Sequence, residues 1–305
     1  MRELFRKNDL ILLAVTFGSI GVAIAFPEWC NIFLPYPLYL MMIFLFFSFL
    51  KIEFVKIFQN LKTNASTLLI LCLFKLIILP AALYYLALMV WPKYALPVLL
   101  LSGVSTGVVA PFLGGLLGAS VLLVLMMVAF SSLLVPFTLP TMVKLLAGHS
   151  VELSFLSMVK LLAMVVFTPA AINILIRRFS PFLTGKLERI QFPASMVMFG
   201  LVNLGVFPKY APFLRERPEA IGGTIVVTVV LAAIYYLAGI LVTRGLRKED
   251  RLAGAASFAY MNNVLIIVFS AQFSDPLAPM LAVTYMLPLF GLIVPARVVG
   301  ERVFR

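Results

Sequence analysis

The chain has 305 residues, of which 63% are hydrophobic and only 12% carry a charge. Together with a mean hydropathy of +1.11, this composition excludes a water-soluble protein of that length. The formal net charge of +12 does not indicate a nucleic-acid partner, because the basic residues separate apolar runs and do not cluster on an aqueous surface. We therefore expect an all-α polytopic membrane protein whose solvent is the lipid bilayer.

The apolar runs, read between charges, glycines and prolines, predict ten transmembrane helices. A spanning helix needs about 20 mostly apolar residues, so ten helices account for roughly two thirds of the chain. An even number of spans places both termini on the same side of the membrane. The expected spans are 9–26, 34–51, 66–90, 94–117, 119–146, 154–176, 190–207, 219–243, 252–272 and 277–297.

The distribution of lysine and arginine gives this topology a direction. Under the ten-span assignment, 17 of the 24 basic residues lie on one side and five lie on the other. The positive-inside rule therefore predicts that both termini are cytoplasmic, in a bacterial inner membrane or a plasma membrane. The 17 are Arg2, Arg6, Lys7, Lys51, Lys56, Lys62, Arg177, Arg178, Lys186, Arg189, Arg244, Arg247, Lys248, Arg251, Arg297, Arg302 and Arg305, and the five are Lys93, Lys144, Lys209, Arg215 and Arg217.

Polar or glycine-rich sequence interrupts the fourth and the ninth predicted span. The fourth contains Ser102-Gly103-Val104-Ser105-Thr106-Gly107 and then Pro111, which is poor sequence for a continuous helix. The ninth contains the adjacent amides Asn262 and Asn263, which point about 100° apart on a helix, so one helical face cannot hide both. Each interruption lies in the fourth span of a five-span half, and an odd number of spans per half predicts an inverted repeat.

Two interrupted spans indicate a transport site. Irregular backbone at membrane depth persists only where protein or a water-filled cavity satisfies its polar groups. Many secondary transporters build substrate and ion sites from two unwound segments at the midplane, although small residues also allow close helix packing. The matched pair of interruptions favours the transport interpretation. The candidate solute- or ion-binding residues at the two interruptions are Ser105, Thr106, Pro111, Asn262 and Asn263.

Lys75 is a further candidate, because it lies in the middle of a run, 67–90, that contains no other charge. An ionisable group at that depth costs at least about 2.5 kcal/mol on insertion scales, so its side chain is expected to face the protein interior. All twelve acidic residues fall at span ends or in loops. Lys75 is therefore neutral through desolvation, is satisfied by dipoles of the broken helices, or meets an anionic solute. Lys160 is expected to reach the interface, and His149 to be a solvated loop residue.

A series of short motifs resembles the bile acid:sodium symporter family in order and spacing. The resemblance begins near Phe26-Pro27-Glu28 and is clearest between Leu99 and Gly148. It continues through Ser157-Met158-Val159-Lys160 and Met261-Asn262-Asn263.

The resemblance implies ten helices in two inverted five-helix repeats, with broken and crossed helices 4 and 9. It further implies a panel subdomain, about 9–51 and 154–207, and a core subdomain, about 66–146 and 219–297. Substrate would bind between the two, next to the crossover. Alternating access would come from movement of the core against the panel.

The sodium ligands of that family are largely missing from this chain. Family members carry a Gln in the third helix, a Ser-Asn pair at the fourth-helix break, hydroxyls in the fifth helix and a Glu in the ninth. The resemblance puts Lys75 at the Gln, Ala110-Pro111 at the Ser-Asn pair, Val124 and Val128 at the hydroxyls, and 256–258, which has no carboxylate, at the Glu.

A hard cation needs several oxygen ligands, and only the amides of Asn262 and Asn263 remain recognisable. We therefore expect Lys75 to occupy the place of a sodium ion. The coupling ion, sodium or proton, stays open, with proton coupling following if Lys75 titrates.

The leading prediction is a secondary transporter of a small organic anion, without a resident cofactor. The arsenite efflux permeases share the implied fold, but they carry a cysteine in the fourth helix, and here that helix has none. An intramembrane enzyme is disfavoured because the sequence has no His-Glu-x-x-His motif, no paired buried aspartates and no Ser-His combination. A membrane sensor or structural subunit with the same fold stays open, as does the oligomeric state.

Overall fold

The computed structural model describes residues 7–50, 52, 57, 61–148, 154–272 and 275–291. Within these ranges the regular secondary structure is helical, apart from an isolated β-bridge between Thr106 and Met261. Parts of the sequence prediction lie outside the described residues. They are the tenth span beyond residue 291, His149, and the basic residues Arg2, Arg6, Lys51, Lys56, Arg297, Arg302 and Arg305.

Eight α-helices lie within the described residues of the first half. The third predicted span is continuous but contains a π-helical turn, Phe74–Ile78, between α4 and α5. The helices are α1 Lys7–Ala25, α2 Pro27–Cys30, α3 Pro37–Phe49, α4 Leu61–Leu73, α5 Leu79–Val90, α6 Ala95–Ser102, α7 Ala110–Leu116 and α8 Val121–Ala147.

The described part of the second half, 154–272 and 275–291, contains eight further α-helices. Between α10 and α11 lies a 3-10 turn, Phe207–Tyr210, which resembles the turn Pro92–Tyr94 that precedes α6. The helices are α9 Phe155–Phe179, α10 Pro181–Val206, α11 Ala211–Glu216, α12 Glu219–Val242, α13 Lys248–Ala259, α14 Asn263–Ser270, α15 Leu277–Thr284 and α16 Met286–Gly291.

Each of the ten predicted spans contains helix, and the fourth and ninth consist of two short helices around a break. Among the described residues, five helices are long and apolar enough to cross a membrane, or six if the pair Ala14–Ala25 and Pro27–Phe33, bent by 111°, is one span. The chain is thus a multi-pass α-helical membrane protein. The five are Ala65–Val90, Val121–Ala147, Phe155–Phe179, Pro181–Glu216 and Glu219–Val242.

Several helix starts differ from the prediction, most of all that of α10. Helix α10 begins at Pro181 instead of residue 190, because its charged first turns continue the helix and do not form a loop. Helix α13 begins at Lys248 instead of residue 252, and Glu249 and Asp250 lie in its first turn. Carboxylates there are favourable because they face the positive end of the helix dipole.

The helices pack in two groups. The first group contains α1, α3, α9 and α10, in which α3 contacts both α9 and α10, and α1 contacts α10. The second group contains α4 to α8 and α12 to α16, and its most extensive contact joins α12 to α13. The groups meet where α8 contacts α9 and where α14 contacts α3 and α10.

Polar contacts identify the two ends of the bundle. At one end Arg177 donates to the Leu50 carbonyl and pairs with Glu188 at 3.1 Å, and we call this the Arg177 end. At the other end Arg215 donates to the carbonyls of Ile24 and Ala25 at 2.6 and 3.1 Å, and we call this the Arg215 end.

Glycine allows α12 and α13 to approach closely. A Cβ atom built on Gly239 would lie 2.4 Å from the carbonyl oxygen of Gly254 and 2.6 Å from the Cα atom of Ala255. All of these neighbours are backbone atoms, so they cannot rotate away. The contact fixes the position of α13, which carries one side of the ninth-span break.

Gly239→Ala should therefore destabilise the protein, because it forces the backbones of α12 and α13 apart. Overpacking of this kind costs about 1–3 kcal/mol. The melting temperature of the detergent-solubilised protein measures the effect. Gly222→Ala is the matched control on the same helix, since a Cβ there meets no atom within 4 Å. Equal melting temperatures for both variants would contradict the packing argument.

Candidate functional site

The two helix breaks lie against each other. Residues 103–109 separate α6 from α7, and residues 260–262 separate α13 from α14. The Gly107 amide donates to the Tyr260 carbonyl at 2.7 Å, and the Asn262 amide donates to the Ser105 carbonyl at 3.0 Å. A Cβ on Gly107 would lie 2.4 Å from the Met261 oxygen, so glycine is needed for this approach. We call these two segments the crossover.

The C-terminal end of α13 exposes carbonyls that have no partner inside the helix. At membrane depth each unsatisfied carbonyl would cost several kcal/mol. In the structure, donors from other elements satisfy four successive carbonyls. The pairs are Thr106 Oγ1 to Ser257 O at 2.8 Å, Lys75 Nζ to Phe258 O at 3.3 Å, Tyr285 OH to Ala259 O at 2.7 Å, and Gly107 N to Tyr260 O at 2.7 Å.

Lys75 is therefore one of the groups that cap α13. It lies in the π-helical turn of the third span, is 1% exposed, and its Nζ is 5.8 Å from the centroid of the Phe258 ring. The carbonyl end of a helix carries partial negative charge, which favours a cation. The contact is one between a lysine nitrogen and a carbonyl dipole of a broken helix, which is one of the three arrangements that the sequence leaves open.

Hydrocarbon fills most positions at which the resemblance places sodium ligands. Ala110, Val124 and Val128 are all fully buried. The polar side-chain group close to these positions is the hydroxyl of Ser131. Its Oγ accepts from the Thr106 amide at 2.9 Å and donates to the Met127 carbonyl. Among the described residues, Lys75 is the one charged member of the buried polar set.

A cavity of about 350 Å³ lies between the two helix groups, beside the crossover. Its size suits a small molecule, because ligand pockets usually measure about 300–1,000 Å³. Most of its walls are aromatic or aliphatic, and its polar side chains are few. The first group contributes Phe44, Ser48, Gln191, Phe192, Ser195 and Phe199, and the second contributes Gly107, Pro111, Val128, Asn262, Asn263 and Met286, among others.

The structure divides the predicted site residues between two places. Pro111, Asn262 and Asn263 line the cavity. Ser105 and Thr106 are fully buried within the crossover and do not line it. Lys75 does not line it either.

Three polar residues of the cavity were missed by the sequence analysis. Gln191 and Ser195 are one helical turn apart on α10, and Ser48 lies near the end of α3. The i, i+4 spacing of two polar residues in an apolar helix was the available signal. The expected start of this span at residue 190 places Gln191 at the span end, whereas α10 begins at Pro181 and carries Gln191 in its interior.

The start of α14 presents polar groups to this region. Asn262 caps the helix, its Oδ1 accepting from the Leu265 amide at 3.3 Å. Asn263 is 3% exposed, and neither atom of its amide has a hydrogen-bond partner in the described part of the chain. A helix N-terminus carries partial positive charge, so this wall of the cavity is suited to an anion.

A multi-pass helical bundle, with two broken helices that meet beside a cavity between helix groups, has the architecture of a membrane transporter. The sequence model of the Sodium Bile acid symporter family matches residues 38–214, which is more than half of the chain. The chain belongs to this family of transporters, and the resemblance seen in the sequence is confirmed. Comparison with curated proteins gives no significant match.

Tyr285→Phe should lower the stability of the protein, because it removes the donor that satisfies the Ala259 carbonyl and leaves that group buried and unpaired. The expected loss is about 1–3 kcal/mol. Thermal unfolding in detergent measures it. Tyr85→Phe serves as the control, since Tyr85 is 56% exposed. An unchanged melting temperature for Tyr285→Phe would show that the hydroxyl contributes nothing to the end of α13.

Proposed function

We propose that the protein is a secondary transporter of a small organic anion that works without sodium, with the Lys75 ammonium as a fixed cation. The contact between Lys75 Nζ and the Phe258 carbonyl is the observation that carries this proposal. The ammonium lies at the broken ninth span, where the resemblance puts a sodium ligand. A bound ion and a lysine side chain both supply positive charge to the carbonyl end of the helix.

A tethered charge changes the energetics of coupling. A sodium ion must be bound from solution, so the transport cycle depends on its concentration. Lys75 is covalently attached and stays at the crossover in every state, so no ion gradient is needed to assemble the site. If Lys75 releases its proton during the cycle, the same arrangement supports proton coupling instead.

The chemistry of the cavity supports a small organic anion as the solute. The positive end of α14 and the Asn263 amide suit a carboxylate or sulfonate group. Aromatic walls such as Phe44 and Phe199 suit an apolar body. The volume of about 350 Å³ limits the size of that body.

We further propose ten transmembrane helices in two inverted repeats, with the first helix group as panel and the second as core. The division of the helices into two packing groups supports the bounds 9–51 and 154–207 for the panel, and 66–146 and 219–297 for the core. The solute cavity between the groups supports alternating access by movement of one group against the other.

The proposed orientation makes the Arg177 end cytoplasmic. Ser48 and Gln191 lie in the parts of α3 and α10 nearest to that end. In the proposed orientation, Ser48 and Gln191 thus line the cytoplasmic side of the cavity.

Uptake into proteoliposomes, over a panel of carboxylates and sulfonates with and without sodium, tests the proposal. The wild-type protein should accumulate at least one anion equally well in both conditions. Lys75→Gln, which restores the residue type that the resemblance places there, should abolish uptake or make it sodium-dependent.

Lys160→Gln is the control, because Lys160 is an exposed lysine in a predicted span and should tolerate the change. Size-exclusion chromatography shows whether each variant is folded. Sodium-independent uptake that is unchanged in folded Lys75→Gln would refute the fixed-cation proposal.

A further inference from the structure

Helix α10 carries a row of exposed residues along one face. Most of them are three or four positions apart, and residues at that spacing lie above one another on a helix. The cavity residues Gln191 and Ser195 lie roughly half a turn away, because each position turns the helix by about 100°. A molecule bound to the exposed face therefore lies outside the solute cavity. We call this face the α10 stripe, and it consists of Phe182, Lys186, Arg189, Ile190, Pro193 and Val197.

The α10 stripe changes from charged to apolar along the helix. Pro181–Glu216 is long and apolar enough to cross a membrane, so its exposed apolar side chains face lipid. Ile190 is 50% exposed and Val197 is 56% exposed. At about 1.5 Å per residue, Lys186 lies roughly 16 Å from Val197, which is about half of the 30 Å hydrocarbon core. The stripe thus extends from the headgroup layer toward the middle of the bilayer.

The turn before α10 reaches the headgroup layer. Helix α9 has 25 residues and is therefore about 37 Å long, which exceeds the hydrocarbon thickness of about 30 Å. Phe179 ends α9 and Phe182 lies in the first turn of α10, and their side chains are 75% and 74% exposed. Exposed aromatic side chains next to cations are typical of a segment that lies in the membrane interface.

The two cations of the stripe are available to an anion. Lys186 Nζ lies 4.4 Å from the centroid of the Phe182 ring, so the ammonium points toward the headgroup layer. Glu188, the one carboxylate in the sequence 181–189, pairs instead with Arg177 at 3.1 Å. Neither Lys186 nor Arg189 forms an ion pair with a described residue. Because they are three positions apart on one face, both can contact the same phosphate group.

We propose that the α10 stripe binds an anionic phospholipid, with its phosphate at Lys186 and Arg189 and an acyl chain along Ile190, Pro193 and Val197. A net anionic lipid fits better than a zwitterionic one, because the cation of a choline headgroup offsets the charge of its phosphate. A lipid held in this way fixes the depth of α10, which contacts α1, α3 and α9 of the first helix group. The proposal depends neither on the transported solute nor on the coupling ion.

Quenching of a reporter tryptophan by brominated lipid tests the proposal. Val197→Trp, in a full-length background with Trp29→Phe and Trp91→Phe, places the fluorophore beside the proposed acyl chain. The protein is reconstituted in mixtures of phosphatidylglycerol and phosphatidylcholine in which one lipid at a time carries brominated chains. The quenching gives the relative binding constant of the two lipids at this position. Ile190→Trp is a second reporter on the stripe.

Phosphatidylglycerol should be preferred at Val197→Trp by at least about fivefold, since each basic residue near the headgroups adds to the attraction. The double substitution Lys186→Gln/Arg189→Gln should lower this preference to less than about twofold. Arg244→Gln/Lys248→Gln is the control, because it removes the same two residue types from the loop after α12 and should leave the preference at Val197→Trp unchanged.

Leu237→Trp on α12 is the matched control position. Leu237 is 56% exposed, as is Val197, and it lies seven residues from Arg244, whereas Val197 lies eight residues from Arg189. Glu249 and Asp250 follow Arg244 closely and offset its charge, and Asp250 pairs with Arg247 at 3.3 Å. The preference for phosphatidylglycerol at Leu237→Trp should therefore be less than about twofold.

Absence of a preference at Val197→Trp would overturn the proposal, whether or not the double variants fold. Equal preferences at Val197→Trp and Leu237→Trp would also overturn it, because the attraction would then be general to this end of the protein. A preference that persists in Lys186→Gln/Arg189→Gln would exclude the assigned cations. None of these measurements requires solute uptake, so a failure of the proposed transport function would leave them unchanged.

Discussion

The structure depends on the need to satisfy backbone carbonyls where the ninth span is broken at membrane depth. Water is not freely available there, so each freed carbonyl requires a donor from the protein. Helix α13 meets this requirement with a hydroxyl, a lysine nitrogen, a phenol and a backbone amide, which come from three separate parts of the chain. Because these donors are distant in sequence, the cap of α13 holds the third span, the fourth-span break and the α15–α16 junction in one arrangement.

This constraint gives Lys75 a physical explanation. A lysine with no anionic partner would be costly inside a membrane protein, but a helix C-terminus offers partial negative charge, and the Phe258 carbonyl lies 3.3 Å from its Nζ. The π-helical turn Phe74–Ile78 is the local irregularity in which that lysine lies. Buried hydrocarbon at Ala110, Val124 and Val128 fits the proposed fixed cation, because a tethered charge would not need the ligands of a free ion.

The crossover and the cavity differ in their hydrogen bonding. Backbone hydrogen bonds join the two segments of the crossover, whereas the adjoining cavity has amide atoms at Gln191 and Asn263 without partners among the described residues. The two amides lie on different helix groups, so in the proposed cycle they belong to the two bodies that move against each other.

The sequence alone determined the lipid environment, the helical class, the two interrupted segments and the burial of Lys75, because hydropathy, helix-breaking residues and the cost of a buried charge are local properties of the chain. Its family was recognisable from the order of short motifs. The tertiary structure alone decided that Lys75 contacts a helix terminus and not the cavity, that Ser105 and Thr106 belong to the crossover, and that Gln191 lies on the cavity wall. These outcomes depend on contacts between segments that are far apart in the sequence, such as Lys75 and Phe258, which are about 180 residues apart. Local sequence preferences do not specify which distant segments meet.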